Sequence, residues 1–179
     1  MLPARLIALM QLAHAAERAA AFAYQGHAAS VSSEKEREHI RVIEQEEWDH
    51  RATLAEWMER YDVKRSWWRE LEFYVIGRVI SLSCHVIGWF LPMYFAGRLE
   101  SGNVIEYLVM RDLFHEVGIT EHDECLVEMA DTEKEHELYF LGLIAEHPWT
   151  PWFERRFGWG PGRSFNEHEI AETAESTTA

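Results

Sequence analysis

On two stretches of this chain an apolar helical seam is broken at mid-length by a Glu-x-x-His pair. The first reads Ile40, Ile43, Glu47, His50, Leu54, Trp57, Tyr61 and the second Leu126, Met129, Glu133, His136, Phe140, Leu143. Steps of three and four place these residues on the helix face that meets a partner. Two further seams hold one carboxylate each. One is Leu6, Met10, Ala13 or His14, Glu17, Ala21, Tyr24, Ala28; the other is Trp89, Met93, Ala96, Glu100, Asn103, Tyr107, Met110, Phe114. A chain that buries four carboxylates and two imidazoles in this way has few folds open to it.

Levels along the chain restrict the choice further. Glu17 and Glu47 are 30 residues apart around a turn near residues 31–32, and Glu100 and Glu133 are 33 apart around a turn near Gly118. Each of the first pair therefore lies roughly 22 Å of helix rise from its bend. Strand signals are nearly absent. The order hairpin, long connection, hairpin predicts an all-α, ferritin-like four-helix bundle with a long crossover between two helical hairpins. The expected domains are a bundle over residues 1–146, an irregular Trp/Pro/Gly-rich extension over 147–165, and an acidic, disordered tail over 166–179.

The predicted boundaries follow from local chemistry. The first helix spans Ala4 to Ala28. Ser33-Glu34-Lys35-Glu36 reads as a capping box that opens the second, which ends near Tyr61. An aromatic connection starts at Ser66-Trp67-Trp68 and leads to a third bundle helix that ends before Gly118. Thr120, with Asp123 three residues on, is the expected N-cap of the fourth. Val79 to Gly97 has no Asp, Glu, Lys or Arg over 19 residues. Ser81, Ser83, Cys84, His85 and Pro92 within it, and Arg78 at its edge, favour a buried or interfacial helix over a membrane span.

Burying even one unpaired carboxylate costs several kcal/mol, on the order of the effective penalty after relaxation. Two divalent metals would neutralise Glu17, Glu47, Glu100 and Glu133, with His50 and His136 giving one imidazole per metal. Oxygen-rich ligation of this kind favours iron or manganese over structural zinc or copper. A Glu-x-x-His pair alone is weak in so glutamate-rich a chain. Glu36-Arg37-Glu38-His39 is a third instance, and its place in a first helical turn makes it a cap. Outside the six ligands, His14, Tyr24 and Tyr107 are candidate hydrogen-bonding partners of the ligand carboxylates.

The formal net charge of -14 over 179 residues excludes nucleic acid as a purely electrostatic partner. Four of those charges are the seam glutamates and four more lie between Asn166 and Ala179, leaving a mildly acidic surface. Cys84 and Cys125 form no C-x-x-C, so the chain carries no rubredoxin module, and no flavin motif is present. The N-terminal stretch lacks a signal-peptide pattern, so the expected location is cytoplasmic, or peripheral on the inner face of a membrane, without secretion.

Three segments, His14-Ala15-Ala16-Glu17, Tyr24-Gln25-Gly26-His27 and Glu47-Trp48-Asp49-His50, resemble the first metal-binding half of the demethoxyubiquinone hydroxylase family, a branch of the ferritin-like di-iron proteins. Glu100, Tyr107 and Glu133-Lys134-Glu135-His136, with Gly88 upstream, are similar to its second half. The resemblance covers roughly residues 10–140. Trp89-Phe90-Leu91-Pro92-Met93 replaces a small-residue approach to the third-helix glutamate, and the chain after Glu146 departs from the family pattern.

The resemblance implies a di-iron, O2-dependent hydroxylase (monooxygenase) acting on a lipophilic, quinone-like small molecule, with electrons from an external donor. Trp89 and Met93 are the expected walls of the substrate channel. Peripheral membrane contact and a homodimer stay open at this stage. So do two other activities with the same ligands, a ferroxidase or iron-handling ferritin-like protein and a di-iron oxidase of another substrate class.

Overall fold

The computed structural model describes residues 2–163. Among these the chain is all-helical: α1 (Ala4–Ser30), α2 (Glu34–Arg60), α3 (Trp67–Ser83), α4 (Phe90–His115), α5 (Asp123–Ile144) and α6 (Thr150–Phe157). The fold class is all-α and ferritin-like. The expected acidic tail lies outside the described residues. The chain divides between Pro92 and Met93 into two compact units.

In the first unit, α1 and α2 form an antiparallel hairpin. Val31 leaves α1 in an extended conformation, and Ser33 starts α2 by accepting the Glu36 amide on its Oγ at 3.3 Å. This is half of the expected capping box. The Glu36 carboxylate instead accepts the Trp89 indole N–H at 2.9 Å. At the other end Asp62 adopts φ 54°, and the Val63 and Asp62 amides donate to the Met58 and Glu59 carbonyls. This is a Schellman closure built on aspartate rather than glycine.

The expected uninterrupted helix over Val79–Gly97 is instead two helices. α3 stops at Ser83, residues 84–89 turn, and α4 begins at Phe90. Successive Val86 and Ile87 amides fold back on the Ser83 carbonyl, and Gly88 sits at φ 82°. An uncharged run is silent about such breaks, because hydropathy does not encode backbone sign. Among the described residues no helix is long and apolar enough to cross a membrane.

α3 packs on α1 through small residues. A Cβ on Gly77 would lie 2.7 Å from Ala19 backbone atoms, and one on Gly26 would overlap the Ser81 backbone. Together with the contact of Glu70 on His14, the pairs ascend both helices in the same direction, so α3 runs parallel to α1.

In the second unit, α4 ends in a Schellman closure at Gly118, where φ is 76° and the Ile119 amide reaches the Phe114 carbonyl. The fourth bundle helix, α5, starts later than its expected cap at Thr120. Its N-cap position is His122, with no side-chain cap bond, and the Asp123 carboxylate pairs with His115 at 2.7 Å. Residues 147–165, expected to be irregular, include helix α6. Pro151 suits its first turn and Gly158, at φ 75°, closes it. Beyond it Trp159 is buried. Its ring lies against Gly97, its carbonyl accepts the Tyr94 hydroxyl at 2.6 Å, and its indole N–H donates to Glu137 at 2.8 Å.

These contacts predict opposite signs for two glycine replacements. Gly77→Ala should destabilise by about 1–3 kcal/mol through overpacking. Gly142→Ala, in open space within α5, should gain up to about 1 kcal/mol of helix propensity. Thermal melting of the two variants beside the parent checks both; a rise in melting temperature for Gly77→Ala would refute the close approach of α3 to α1.

Candidate functional site

Each unit gathers one Glu/Glu/His triad. In the first, Glu17 from α1 and Glu47 and His50 from α2 bring one ligand atom each to within 4.8 Å of one another. In the second, Glu100 from α4 and Glu133 and His136 from α5 do the same. All six side chains are buried, and Glu47 and Glu133 are fully out of solvent. The helices dictate this grouping. Glu47 and His50 stand one turn apart on the same face of α2, as do Glu133 and His136 on α5, so each pair aims at one point.

The surroundings are apolar. Met10, Ala13 and Ala21 flank Glu17 in its seam, Ile43 and Leu54 flank the α2 pair, and Met129 and Phe140 flank the α5 pair, all buried. Two buried carboxylates at this separation repel each other in a medium that solvates neither well. A divalent cation resolves that conflict. Two carboxylates and an imidazole are a donor set that iron or manganese accepts and that leaves coordination positions open. The residues present therefore fit one such ion per triad.

Asn103, one turn on from Glu100, stands in the same seam as a neutral amide. Its amide donates to Glu100 Oε2 at 2.8 Å and to Glu133 Oε2 at 3.3 Å, fixing both carboxylates of the second triad. Glu137, directly after His136, is also buried; it accepts Lys134 at 2.9 Å and the Trp159 indole. Nothing in the sequence singled it out from its acidic neighbours.

The remaining expected residues fall as follows. The His14 ring nitrogen Nδ1 pairs with Glu70 at 2.7 Å, which directs this histidine to the first turn of α3 and not to a triad carboxylate. Glu70 also receives Arg51 at 2.9 Å and Arg18 at 3.1 Å. Tyr24 and Tyr107 are buried, the former stacked on His27 with ring centroids 6.3 Å apart. Trp89 is partly exposed and engaged with Glu36, whereas Met93 is fully buried.

Burial, reinforced by the Arg51 charge against the opposing pull of Glu70, lowers His14 to a pKa of about 4. Burial likewise lowers His27 to about 4. Burial alone would raise Glu70, but hydrogen bonding and charge from Arg51, aided by His14 and Arg18, hold it below the usual carboxylate range. At neutral pH both histidines are therefore uncharged and Glu70 is ionised.

Compared with known families, residues 4–107 match the model described as Ubiquinone biosynthesis protein COQ7. The match covers more than half of the chain and includes Glu17, Glu47, His50 and Glu100; Glu133 and His136 lie beyond it. Neither the curated proteins nor the solved structures compared with the chain give a match.

The buried neutral histidines set a pH dependence. Unfolded histidine titrates near 6.5, above the folded value of about 4 for His14 and His27, so the unfolded chain binds more protons between these limits. Their contribution is complete above about pH 6.5 and is lost as pH falls toward 4. Chemical denaturation across this range should show stability falling with acidification, with a shallower slope in His27→Gln. An unchanged slope in that variant would mean that His27 titrates normally.

Proposed function

The chain belongs to the COQ7 family of ubiquinone biosynthesis proteins, and on that premise we propose that it is a di-iron, O2-dependent hydroxylase of a lipophilic, quinone-like ring. Membership gives a hydroxylase of ubiquinone biosynthesis. The observation that carries the finer reading is the repetition of one buried Glu/Glu/His triad in each unit. Glu17, Glu47 and His50 would hold one iron, and Glu100, Glu133 and His136 the other.

A reduced iron pair supplies the activation of O2 when bound. The chain's own residues do the rest. Asn103 restrains the orientation of Glu100 and Glu133, and the apolar seam residues exclude water that would compete for the reacting positions. His50 and His136, neutral as ligands, leave the carboxylates as the charge that balances the metals. Electrons come from a partner or from the substrate, since Cys84 and Cys125 make no metal-binding pair in this chain.

The surface of α3 supports a lipophilic substrate met at a membrane. This helix is inverted relative to an ordinary amphipathic one. Its inward stripe is Glu70, Gly77 and Ser81, while Trp67, Trp68, Leu71, Val75, Val79 and Leu82 are exposed. So much contiguous apolar surface is costly in water and stable at a bilayer interface. Trp89, partly exposed, and Met93, buried near the start of α4, remain the proposed channel residues.

Anaerobic loading with ferrous iron should give about two irons per chain, as expected for a two-metal site, and O2 with a reductant should then hydroxylate a prenylated quinone precursor. Glu47→Ala or His136→Ala should bring iron below half the parent value and abolish turnover. Equal iron content in parent and variants would sink the assignment. Iron oxidation without organic product would favour the ferroxidase reading. In a separate test, Leu71→Asp with Val79→Asp should strongly reduce sedimentation with phospholipid vesicles while leaving iron content unchanged; undiminished binding would refute the interfacial role of α3.

A further inference from the structure

The crossover helix and the first triad are joined by one side chain. Glu70, in the first turn of α3, takes His14 and Arg18 from α1 and Arg51 from α2 on its carboxylate. The backbone is drawn in as well. Arg51 donates to the His14 carbonyl and Arg18 to the Glu70 carbonyl. Three helices thus meet at one carboxylate that is 16% exposed. Two of the three partners adjoin proposed ligands: Arg18 follows Glu17 and Arg51 follows His50, while His14 lies one turn before Glu17.

We propose that Glu70 is a positioning residue for the metal-binding hairpin, tying the seat of α3 to the retention of metal by Glu17, Glu47 and His50. The inference rests on the di-iron reading above. The other contacts between α1 and α3 do not replace it. Gly77 on Ala19 and Ser81 on Gly26 are close but lack direction, the Arg78 to Gln25 hydrogen bond lies in solvent, and the exposed Tyr74 ring, against Phe22 and beneath Arg18, carries no charge to hold Arg18 and Arg51 together. Charge-assisted hydrogen bonds to a carboxylate are about twice as strong as neutral ones and fix geometry. Without the carboxylate, two guanidinium groups would face each other in a partly buried space. Their repulsion would push Arg18 and Arg51 apart, and with them the adjoining Glu17 and His50. This is the role that groups behind a ligand shell play in orienting the ligands.

The test compares the parent with Glu70→Gln, and with Glu72→Gln as an exposed control on the same helix. Each full-length protein is loaded with ferrous iron, and iron release to a chelator is timed while amide exchange is followed in α3 and α5. For Glu70→Gln we expect release about tenfold faster or more, the usual scale for losing a ligand-orienting partner. Exchange should accelerate in α3 but not in α5, and Glu72→Gln should match the parent. If Glu70→Gln does not fold, Glu70→Asp, one methylene shorter, carries the same comparison with a smaller expected change. Parent-like iron release overturns the proposal, including where α3 exchange has accelerated, because that result would make Glu70 a structural clamp alone. A parent that takes up no iron defeats the di-iron reading itself, and the proposal with it; that outcome is distinct from iron held equally by parent and variant.

Discussion

Mutual repulsion between buried carboxylates is the constraint on which the rest of this molecule depends. Each unit places two glutamates and a histidine within reach of one point, inside an apolar seam. A helix can do this without further cost to its backbone, because its amides and carbonyls are already bonded to one another. Side chains one turn apart then aim together. The same backbone in a loop would add unsatisfied polar groups to an already strained electrostatic balance. Long helices are thus a requirement of the site. The first hairpin reverses over Val31 and Ser33, both extended, and the second at Gly118, where the chain turns left-handed.

The elements that were legible in the sequence are those with period. Seam spacing identified both hairpins and put Glu17, Glu47, His50, Glu100, Glu133 and His136 on their inward faces, and all six are buried. What escaped was decided by contacts with no local period. Glu36 resembles a cap by composition, yet Trp89, 53 residues away, takes its carboxylate. Thr120 resembles an N-cap, yet Asp123 has His115 as a nearer partner. Asn103 stands in the right seam, but a neutral amide carries no pattern of its own. The break between α3 and α4 lies within an uncharged run, where hydropathy gives no sign of the left-handed backbone at Gly88.

α3 shows how far packing can depart from the ordinary inside-outside rule. Its closest contacts with α1 are made through glycine, serine and alanine at backbone distance, which leaves most of its large apolar side chains outside. Close approach and an apolar exterior are two results of one choice of residues. The helix is secured by shape along most of its length and by charge at its first turn, through Glu70. A surface of this kind is compatible with the acidic composition because few of the chain's carboxylates fall on it.

Trp159 gives the second unit a different history from the first. The hairpin of α1 and α2 needs nothing beyond the first third of the chain to bring its three ligands together. By contrast Glu137, next to His136, is shielded by an indole 22 residues further along the chain, and Gly97 provides the flat seat for that ring. During translation at ordinary rates, about 5–20 residues per second, the earlier hairpin has seconds in which to order before the later one can be sealed. The hairpin that carries Glu17, Glu47 and His50 can therefore order before Trp159 is there to pack beside Glu137.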